Sequence, residues 1–556
     1  MLFNSYIFVF LFFPICLLGY YGLLHAHRTA ATKVFLIAMS FWFYGWFNVS
    51  YLLIMVGSIG ANYLFHRMLS NRVDRTRTGV SVPADDERLA QREEAFSNLE
   101  AGEVSGLAFR RKAVMIMAVV LNLGVLFYFK YFDFFLSTMN SLFGTSAALR
   151  HILLPLGISF FTFQQISFIV DTYRGEVRNC SLADYALFVS FFPQLIAGPI
   201  VNHSEMLPQF ARMGKENVKW QQIAEGMGLF ILGLAKKVLI ADTFGSGVDY
   251  GYAHVELMGR SDAVLIIVFY ALQLYFDFSG YCDMARGIGK MLGIEIPVNF
   301  DSPYQAVNIV DFWKRWHITL NRFFTKYVYI PLGGNRKGQA RMYFNLFAVF
   351  MLSGLWHGAG WNYLVWGAMH GAMYVLTRFW LRNIKPRFGR RNAGMPSQQT
   401  VVRDTQMPTA ESEHGWISQI GRGIVTCVSR ILLFVYVAVA WVYFRAENIA
   451  QANRMLATAV SGTVQKVSSE LAECFRVDEF WYVIKVLHLD NMAYSRYILM
   501  WVILAAGLYL ALIGRNAAQR MEKMKYRTGS TVVFAVLALW CVLTFSKVST
   551  FLYFNF

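Results

Sequence analysis

The chain contains a series of long apolar segments separated by short basic ones. A helix that crosses a lipid bilayer needs about 20 mainly apolar residues. By that measure the chain carries about 11 to 13 membrane segments. The clearest lie at approximately 5–24, 34–49, 51–69, 114–136, 222–243, 263–282, 343–356, 362–380, 424–444, 497–514 and 531–551. The sequence therefore predicts an all-α polytopic membrane protein.

Two further apolar segments contain internal proline and glycine. They lie at 152–172, with the sequence LLPLGISFF, and at 183–201, with FFPQLIAGPIV. Irregular backbone at membrane depth is tolerated where protein rather than lipid surrounds it. We therefore expect these segments to be broken or re-entrant.

The composition agrees with a membrane protein and argues against a nucleic-acid-binding one. Of 556 residues, 56% are hydrophobic and only 15% are charged, whereas soluble domains contain about 25% charged residues. The net charge of +17 resides mainly in the short connections. That distribution is typical of the positive-inside rule, so no nucleic-acid partner is predicted.

The basic connections also predict an orientation. Lysine and arginine are enriched in 25–33, 66–112, 378–391 and 515–527, which we assign to the cytoplasm. The connection 137–151, the segment 445–496 and both chain ends then lie outside. The first apolar segment lacks a basic start and a small-residue cleavage site, so we interpret it as a retained span.

The cysteines indicate neither a disulfide framework nor a metal site. The 6 cysteines are scattered and show no CxxC spacing, and no HxxxH spacing accompanies them. Most lie in apolar segments, where a thiol behaves as a small hydrophobic group. The cysteine pattern therefore predicts no bound metal.

A charged, aromatic segment contains the first histidine of interest. Residues 306–328, AVNIVDFWKRWHITLNRFFTKYV, are too polar to span a membrane and predict an amphipathic helix at the membrane interface. In such a helix His317 shares a face with Trp313 and Asn321. His317 is then either one more interfacial residue or part of a polar site.

A second histidine lies in an apolar segment. His357 occurs in SGLWHGAGW (353–361), between tryptophans and among glycines, which allow close approach of a backbone or a ligand. Ionisable groups at membrane depth are costly and are functional candidates by default, and imidazole suits proton transfer near neutral pH. The alternative is a neutral histidine satisfied by a backbone carbonyl, and the same alternative applies to His370 in WGAMHG.

These segments resemble the membrane-bound O-acyltransferase (MBOAT) family. The resemblance is carried by FWKRWHITLNRFFTKYVYIPLGGNRKG (312–338) and SGLWHGAGWNYLVWGAMHG (353–371), and is supported by motifs at 154–176, 191–201, 275–304 and 441–456. Within the family, the chain most resembles the membrane subunit of bacterial alginate O-acetyltransferase. The charged insert 71–112 and the loop 387–420 depart from that pattern.

The resemblance implies a fold and two catalytic residues. The family has many membrane helices around a central acyl-transfer tunnel, and its two marker histidines map to His317 and His357. The second is the usual catalytic residue, while the first is expected to orient the thioester or relay a proton. His370 carries no family role.

The resemblance also implies a division of the chain along its length. We expect N-terminal transmembrane helices, a charged cytoplasmic loop, the MBOAT catalytic core with both histidines, a polar cytoplasmic loop and C-terminal transmembrane helices with the extracytoplasmic segment 445–496. The corresponding ranges are 1–70, 71–112, 113–386, 387–420 and 421–556.

The implied function is the transfer of an acetyl group from a cytoplasmic thioester for O-acetylation of an exported, alginate-like polysaccharide. We expect no tightly bound cofactor, with acetyl-CoA or an acyl carrier as the donor. The implied setting is the bacterial inner membrane, with a separate extracytoplasmic acetyltransferase subunit and polysaccharide export machinery as partners. Alternatives are another acceptor (peptidoglycan, cellulose or D-alanylated teichoic acid), a transporter or flippase, or a scaffold with inert histidines.

Overall fold

A computed structural model describes most of the chain, and the described part is helical. It comprises residues 1–75, 90–177, 179–214, 219–384, 416–477, 479, 481–488, 494–524, 527–547 and 550–552. No residue within these ranges belongs to a β-strand. The predicted all-α class is confirmed.

Most of the described residues belong to helices, as expected for a polytopic protein. In chain order, α1 to α23 are Phe13–His25, Thr29–Gly45, Val49–Arg75, Ala90–Leu126, Phe132–Phe143, Ile158–Tyr173, Leu182–Ser190, Phe192–Leu195, His203–Arg212, Trp220–Ala235, Asp242–Ala253, Arg260–Met291, Ile309–Arg315, Ile318–Phe324, Gln339–His357, Trp361–Phe379, Trp416–Arg445, Ile449–Ser461, Ser469–Glu473, Trp481–Val486, Ser495–Leu512, Ala517–Glu522 and Thr528–Leu543. Wider π-helical turns adjoin several of them, at Phe8–Phe12, Phe127–Tyr131, Lys236–Ala241, Thr325–Tyr329 and Trp380–Ile384.

Among the described residues, 6 helical stretches are long and apolar enough to cross a membrane. Length and composition alone define this set, so the predicted total of about 11 to 13 segments stays a prediction. The stretches are Phe8–His25, Val49–Ser70, Ala108–Phe143, Arg260–Met291, Gly423–Arg445 and Ser495–Leu512. The protein is a multi-pass membrane protein.

The predicted break in the apolar segment 183–201 is present. Helix α7 ends at Ser190, and the short α8 follows at Phe192–Leu195, with Pro193 in its first turn. The residues after α8, from Ile196 to Val201, are irregular and buried. Their backbone is therefore surrounded by protein, as the proline and glycine content of the segment predicts.

Parts of the predicted cytoplasmic loops 71–112 and 387–420 are helical where the structure describes them. Helix α3 extends to Arg75, and α4 already begins at Ala90, before its apolar part. Residues 90–112 are rich in alanine, leucine, glutamate and arginine, which favour helix even when the segment is polar. Helix α17 begins at Trp416, and the ranges 76–89 and 385–415 lie outside the described residues.

The chain divides into two compact units. The first contains Met1–Asp242, Phe276–Val298 and Ala517–Phe556, and the second contains Thr243–Tyr275 and Asn299–Asn516. Both histidines of interest lie in the second unit. The five ranges predicted along the chain stay a prediction.

Buried polar groups join helices α3, α4 and α6 in the first unit. Asn62 on α3 and Asn122 on α4 exchange amide hydrogen bonds of 2.7 and 3.1 Å, and the Asn62 amide also donates to Gln165 Oε1 on α6, at 2.5 Å. Such groups are costly in an apolar interior unless they bond one another. The network therefore fixes how these three helices pack.

Helices α15 and α16 form a helical hairpin in the second unit. Helix α15 ends at His357, three residues form the turn, and α16 begins at Trp361. Helix α17 packs against α16. This arrangement positions the end of α15, and therefore His357, within the packed interior.

Candidate active site

His357 is the last residue of α15 and is buried, with 3% of its surface exposed. The chain continues through Gly358 in an extended conformation (φ −159°). A histidine at a helix C-terminus in an apolar interior is unusual because an ionisable group loses hydration there. Its position therefore needs a local explanation.

Gly354, three positions before His357, allows the two helices of the hairpin to approach closely. A Cβ atom added to Gly354 would overlap the carbonyl oxygen of Tyr363 on α16 and lie 3.3 Å from Gly367 Cα. The glycines around His357 (Gly354, Gly358 and Gly360) predict close approach of a backbone or a ligand. The structure shows the approach of a backbone at Gly354, which brings α16 against the end of α15.

The Nδ1 atom of His357 lies 2.6 Å from the Ser353 carbonyl oxygen. A carbonyl can only accept a hydrogen bond, so Nδ1 carries the proton and donates it. In the neutral ring Nε2 is then the basic nitrogen. The predicted alternative, a histidine bonded to a backbone carbonyl, is thus correct for Nδ1, yet this same bond prepares Nε2 to accept a proton.

His317 lies at a break between two short helices. The predicted continuous helix over 306–328 is wrong, because α13 ends at Arg315 and α14 begins at Ile318. His317 adopts a left-handed conformation (φ 46°), which is rare for residues other than glycine. The Asn321 side chain donates hydrogen bonds to the Trp313 and Trp316 carbonyls, which satisfies backbone groups at the break.

Asn299 holds the His317 side chain in place. The Asn299 Oδ1 atom accepts from Thr319 N–H at 3.2 Å and from Thr319 Oγ1 at 2.9 Å, and His317 Nδ1 lies 3.2 Å from it. Because Oδ1 is an acceptor, His317 Nδ1 is the donor, and Nε2 is the basic nitrogen here too. Burial lowers the pKa of His317 well below its ordinary value, and the nearby His357 lowers it further, so the ring is neutral at pH 7.

The two histidines are neighbours in space, although 40 positions separate His317 from His357 in the sequence. Their ring centroids lie 6.4 Å apart. Trp356 lies beside both rings, and the rings of Trp366 and Phe444 lie 5.0 and 5.3 Å from His357. We call Trp356, Trp366 and Phe444 the aromatic wall. Two buried imidazoles packed among aromatic rings can take up and pass on a proton.

His370 lies behind this wall. It is fully buried on α16, and its Nδ1 accepts the indole N–H of Trp313 at 3.3 Å. Its ring lies 5.0 Å from Trp366, which in turn packs against His357. No direct ring contact joins His370 to His317 or His357 among the described residues. Its position is consistent with a structural role, in which it packs against Trp366 of the aromatic wall.

Sequence reasoning missed three residues of this site: Asn299, Ser353 and Phe444. Asn299 and Phe444 belong to the motifs at 275–304 and 441–456, so the resemblance offered a signal for them. Ser353 acts through its backbone carbonyl, for which residue type carries no signal. The contact forms because Ser353 precedes His357 by four positions, which is about one turn of α15.

The chain is similar to known proteins over most of its length. The model of MBOAT, the membrane-bound O-acyltransferase family, matches residues 169–397. That range includes both neighbouring histidines. The chain is also 36% identical over 482 residues to a peptidoglycan O-acetyltransferase of Helicobacter pylori, covering 82% of this chain and 79% of the relative.

Two other relatives carry different acceptors in their names. The probable alginate O-acetylase of Pseudomonas aeruginosa is 36% identical over 460 residues, covering 82% of this chain and 74% of the relative. The teichoic acid D-alanyltransferase of Streptococcus thermophilus is 26% identical over 251 residues, covering 41% of this chain and 58% of the relative. The long matches at this identity, together with the family model, show that this multi-pass membrane protein is an O-acyltransferase and belongs to the membrane-bound O-acyltransferase family.

Proposed function

We propose that the protein moves an acetyl group from a cytoplasmic thioester to a hydroxyl acceptor, for the O-acetylation of an exported polysaccharide of the bacterial envelope. The proposal is carried by the paired histidines, whose Nδ1 atoms both donate to fixed oxygens, at Ser353 and Asn299. Relatives that are named as acetylating enzymes and cover most of the chain support the acetyl group.

His357 acts as the general base in this proposal. Its Nε2 accepts the proton of the acceptor hydroxyl while the hydroxyl oxygen attacks the thioester carbonyl carbon. The new C–O bond forms, the C–S bond breaks, and the proton passes to the leaving thiolate. General-base catalysis of this kind contributes about 10²–10⁴-fold to a rate.

His317 orients the thioester or relays the proton. Its neutral Nε2 is compatible with either role because the ring adds no positive charge beside His357. The aromatic wall keeps water away from the thioester, which limits hydrolysis. The donor is acetyl-CoA or an acyl carrier, and no tightly bound cofactor is needed for these steps.

The setting of the reaction follows from the same resemblance. We place the protein in the inner membrane, with a separate extracytoplasmic acetyltransferase and polysaccharide export machinery as partners. An alginate-like polymer is the first candidate acceptor. Peptidoglycan is the second, because the peptidoglycan O-acetyltransferase of H. pylori matches this chain at the same 36% identity as the alginate relative.

The experiment compares alkali-labile acetate on purified exported polysaccharide and on peptidoglycan from four strains. These are the wild type, the deletion, His357→Asn and a His370→Asn control, each checked for its amount of membrane protein. We expect acetate to fall equally in the deletion and His357→Asn strains and in only one of the two polymers, which identifies the acceptor.

Other outcomes would point elsewhere. Acetate that falls in the deletion and persists in His357→Asn would support a scaffold with inert histidines. Acetate unchanged in every strain would overturn the acetylation proposal and favour D-alanyl transfer or transport. Those two are separated by measuring D-alanine esters and by substrate flux into proteoliposomes that contain the purified protein.

A further inference from the structure

Three side chains of the kinds that bind metal ions converge in the first unit. They are Asp171, Glu176 and His203, and one potential ligand atom from each lies within 4.8 Å of the other two. Asp171 is fully buried and His203 is 6% exposed, whereas Glu176 faces solvent. The acyl-transfer mechanism uses none of them.

The end of α6 brings the two carboxylates together. Gly175 adopts a left-handed conformation (φ 80°), and its N–H donates to the Thr172 carbonyl oxygen at 3.0 Å. The next N–H, of Glu176, donates to the Asp171 carbonyl oxygen at 2.9 Å. This turn reverses the chain after the helix and places Glu176 beside Asp171.

The third side chain comes from the beginning of α9. His203 is its first residue and follows Asn202, which caps the helix. The Asn202 side chain accepts from Ser204 N–H at 3.1 Å, and the Asn202 N–H donates to Glu205 at 2.9 Å. This capping box fixes the backbone of His203, so its imidazole is presented from a rigid element.

The imidazole points at the buried carboxylate without forming a hydrogen bond to it. His203 Nδ1 lies 3.2 Å from Asp171 Oδ2, yet the atom makes no hydrogen bond to any residue in the described part of the chain. Asp171 also lies 3.7 Å from the guanidinium of Arg174, which is 33% exposed. His203 Nδ1 and Asp171 Oδ2 are therefore close together, but their geometry is not that of a hydrogen bond. Two ligands that bind the same metal ion are arranged in this way.

The ligand types and spacing select a class of metal. Calcium and magnesium take oxygen ligands, whereas imidazole suits first-row transition metals and carboxylates suit manganese. Bonds of about 2.0–2.2 Å place two ligands of one ion at most about 4.4 Å apart. Glu176 is exposed and has a flexible side chain, so it can close any remaining gap.

We propose that Asp171, Glu176 and His203 bind one divalent first-row transition metal ion, such as Zn²⁺ or Mn²⁺. The ion joins the end of α6 to the start of α9 and closes the intervening segment, 174–202, which contains the broken apolar stretch. Two carboxylates balance the charge of the ion. The ligands are 5 and 27 positions apart in the sequence, a spacing that matches no metal-binding motif, so motifs do not reveal this site.

The test measures metal content and affinity, with no dependence on acyl transfer. The full-length protein, with a tag free of histidine, is purified in detergent from cells grown with added zinc and manganese, and its metals are counted by mass spectrometry. We expect about one ion per chain in the wild type and at least tenfold less in Asp171→Asn and His203→Gln. Asp184→Asn, which removes a carboxylate paired with Lys33 in the same unit, should keep the metal.

Asp171 and His203 are buried, so their replacement could prevent folding. Two variants at exposed residues test the site without that problem. Glu176→Gln changes an exposed ligand, and we expect at least tenfold weaker binding of ZnCl₂ or MnCl₂ to the metal-depleted protein. The melting temperature of the metal-free variant checks that it is folded. Arg174→Gln removes the competing cation, so metal binding should persist or tighten.

The alternative is an ionic network in which Arg174, and no metal ion, neutralises the Asp171 carboxylate. In that case the wild type would hold metal only at the background level after growth with both metals, and a chelator would leave its melting temperature unchanged. Arg174→Gln would then lower the melting temperature with no response to added Zn²⁺ or Mn²⁺. Either result would overturn the proposal.

Discussion

His317 and His357 lie with their ring centroids 6.4 Å apart, and each donates its Nδ1 proton to an oxygen of its own. The acceptor for His357 is the Ser353 carbonyl, and the acceptor for His317 is the Asn299 side chain. Both rings therefore have Nε2 as the basic nitrogen. This shared arrangement permits variants that keep the hydrogen bond and remove the base.

Replacement of His357 by asparagine tests catalysis against structure. The Asn amide can still donate to the Ser353 carbonyl, as Nδ1 does, but it has no equivalent of basic Nε2. We expect normal membrane abundance and a loss of acyl transfer of about 10²–10⁴-fold. Transfer is measured as acetate incorporated per molecule of membrane protein, and activity retained in this variant would show that the hydrogen bond is the only role of His357.

Replacement of His317 tests the cost of its left-handed backbone. At φ 46°, asparagine is tolerated better than alanine, which pays about 1–2 kcal/mol in this region. Asparagine can also retain the hydrogen bond to Asn299. We expect His317→Ala to be less stable than His317→Asn by at least about 1 kcal/mol, measured by unfolding in mixed detergent micelles. Equal stability of the two variants would contradict the strained conformation.

The neutral state of His317 predicts how stability depends on pH. Burial holds its pKa in the folded protein well below the ordinary 6.5, so below pH 6.5 the unfolded chain binds a proton that the folded chain does not. Stability from this residue is therefore complete above pH 6.5 and is lost as the pH falls towards the folded pKa, by at most about 1.4 kcal/mol per pH unit. His317→Asn should remove this part of the slope, and parallel curves for wild type and variant between pH 5 and 7 would disprove it.

The sequence predicts the fold class and the two histidines because these depend on local signals. Apolar segments of membrane length indicate helices, and the motifs around His317 and His357 are long enough to identify the family. Neither the apolar segments nor the motifs predict that the two rings lie side by side. That contact depends on the α15–α16 hairpin and on the helix break at His317, 40 positions before His357.

The break at His317 is a tertiary effect that periodicity cannot reveal. Residues 306–328 have helical spacing throughout, yet the Ile318 N–H donates to the Asn299 carbonyl at 3.0 Å instead of continuing one helix. The long-range bonds to Asn299 outweigh the local helical preference, which is worth less than about 1 kcal/mol per residue. Conversely, local preference extends α4 back to Ala90, where polarity alone suggests a loop.

Gly354→Ala tests the close approach of the two hairpin helices. The added methyl group would overlap the Tyr363 carbonyl oxygen, which belongs to backbone and cannot rotate away. We expect a loss of about 1–3 kcal/mol in the free energy of unfolding, together with lower transfer because α15 carries His357. Gly57→Ala is the matched control, since its Cβ meets nothing within 4 Å and alanine favours the helix. An equally stable Gly354→Ala protein would show that the hairpin adjusts freely.

Lys237→Met tests a buried ion network in the first unit. The Lys237 ammonium is 1% exposed and lies 2.8 Å from Asp277 and 2.6 Å from Asp242. Removing it leaves two carboxylates without their shared cation, so we expect a loss of about 3–5 kcal/mol in the free energy of unfolding. The double variant Lys237→Met/Asp277→Asn should recover part of that loss, because one buried charge is removed with the cation.

The control for this network is an exposed ion pair in the second unit. Arg454 and Glu256 are 54% and 72% exposed, and such pairs contribute at most about 1 kcal/mol. Arg454→Met should therefore change the unfolding midpoint much less than Lys237→Met in the same detergent titration. Similar losses in the two single variants, or no recovery in the double variant, would mean that the cost at Lys237 comes from lost packing of its side chain and not from unpaired charge.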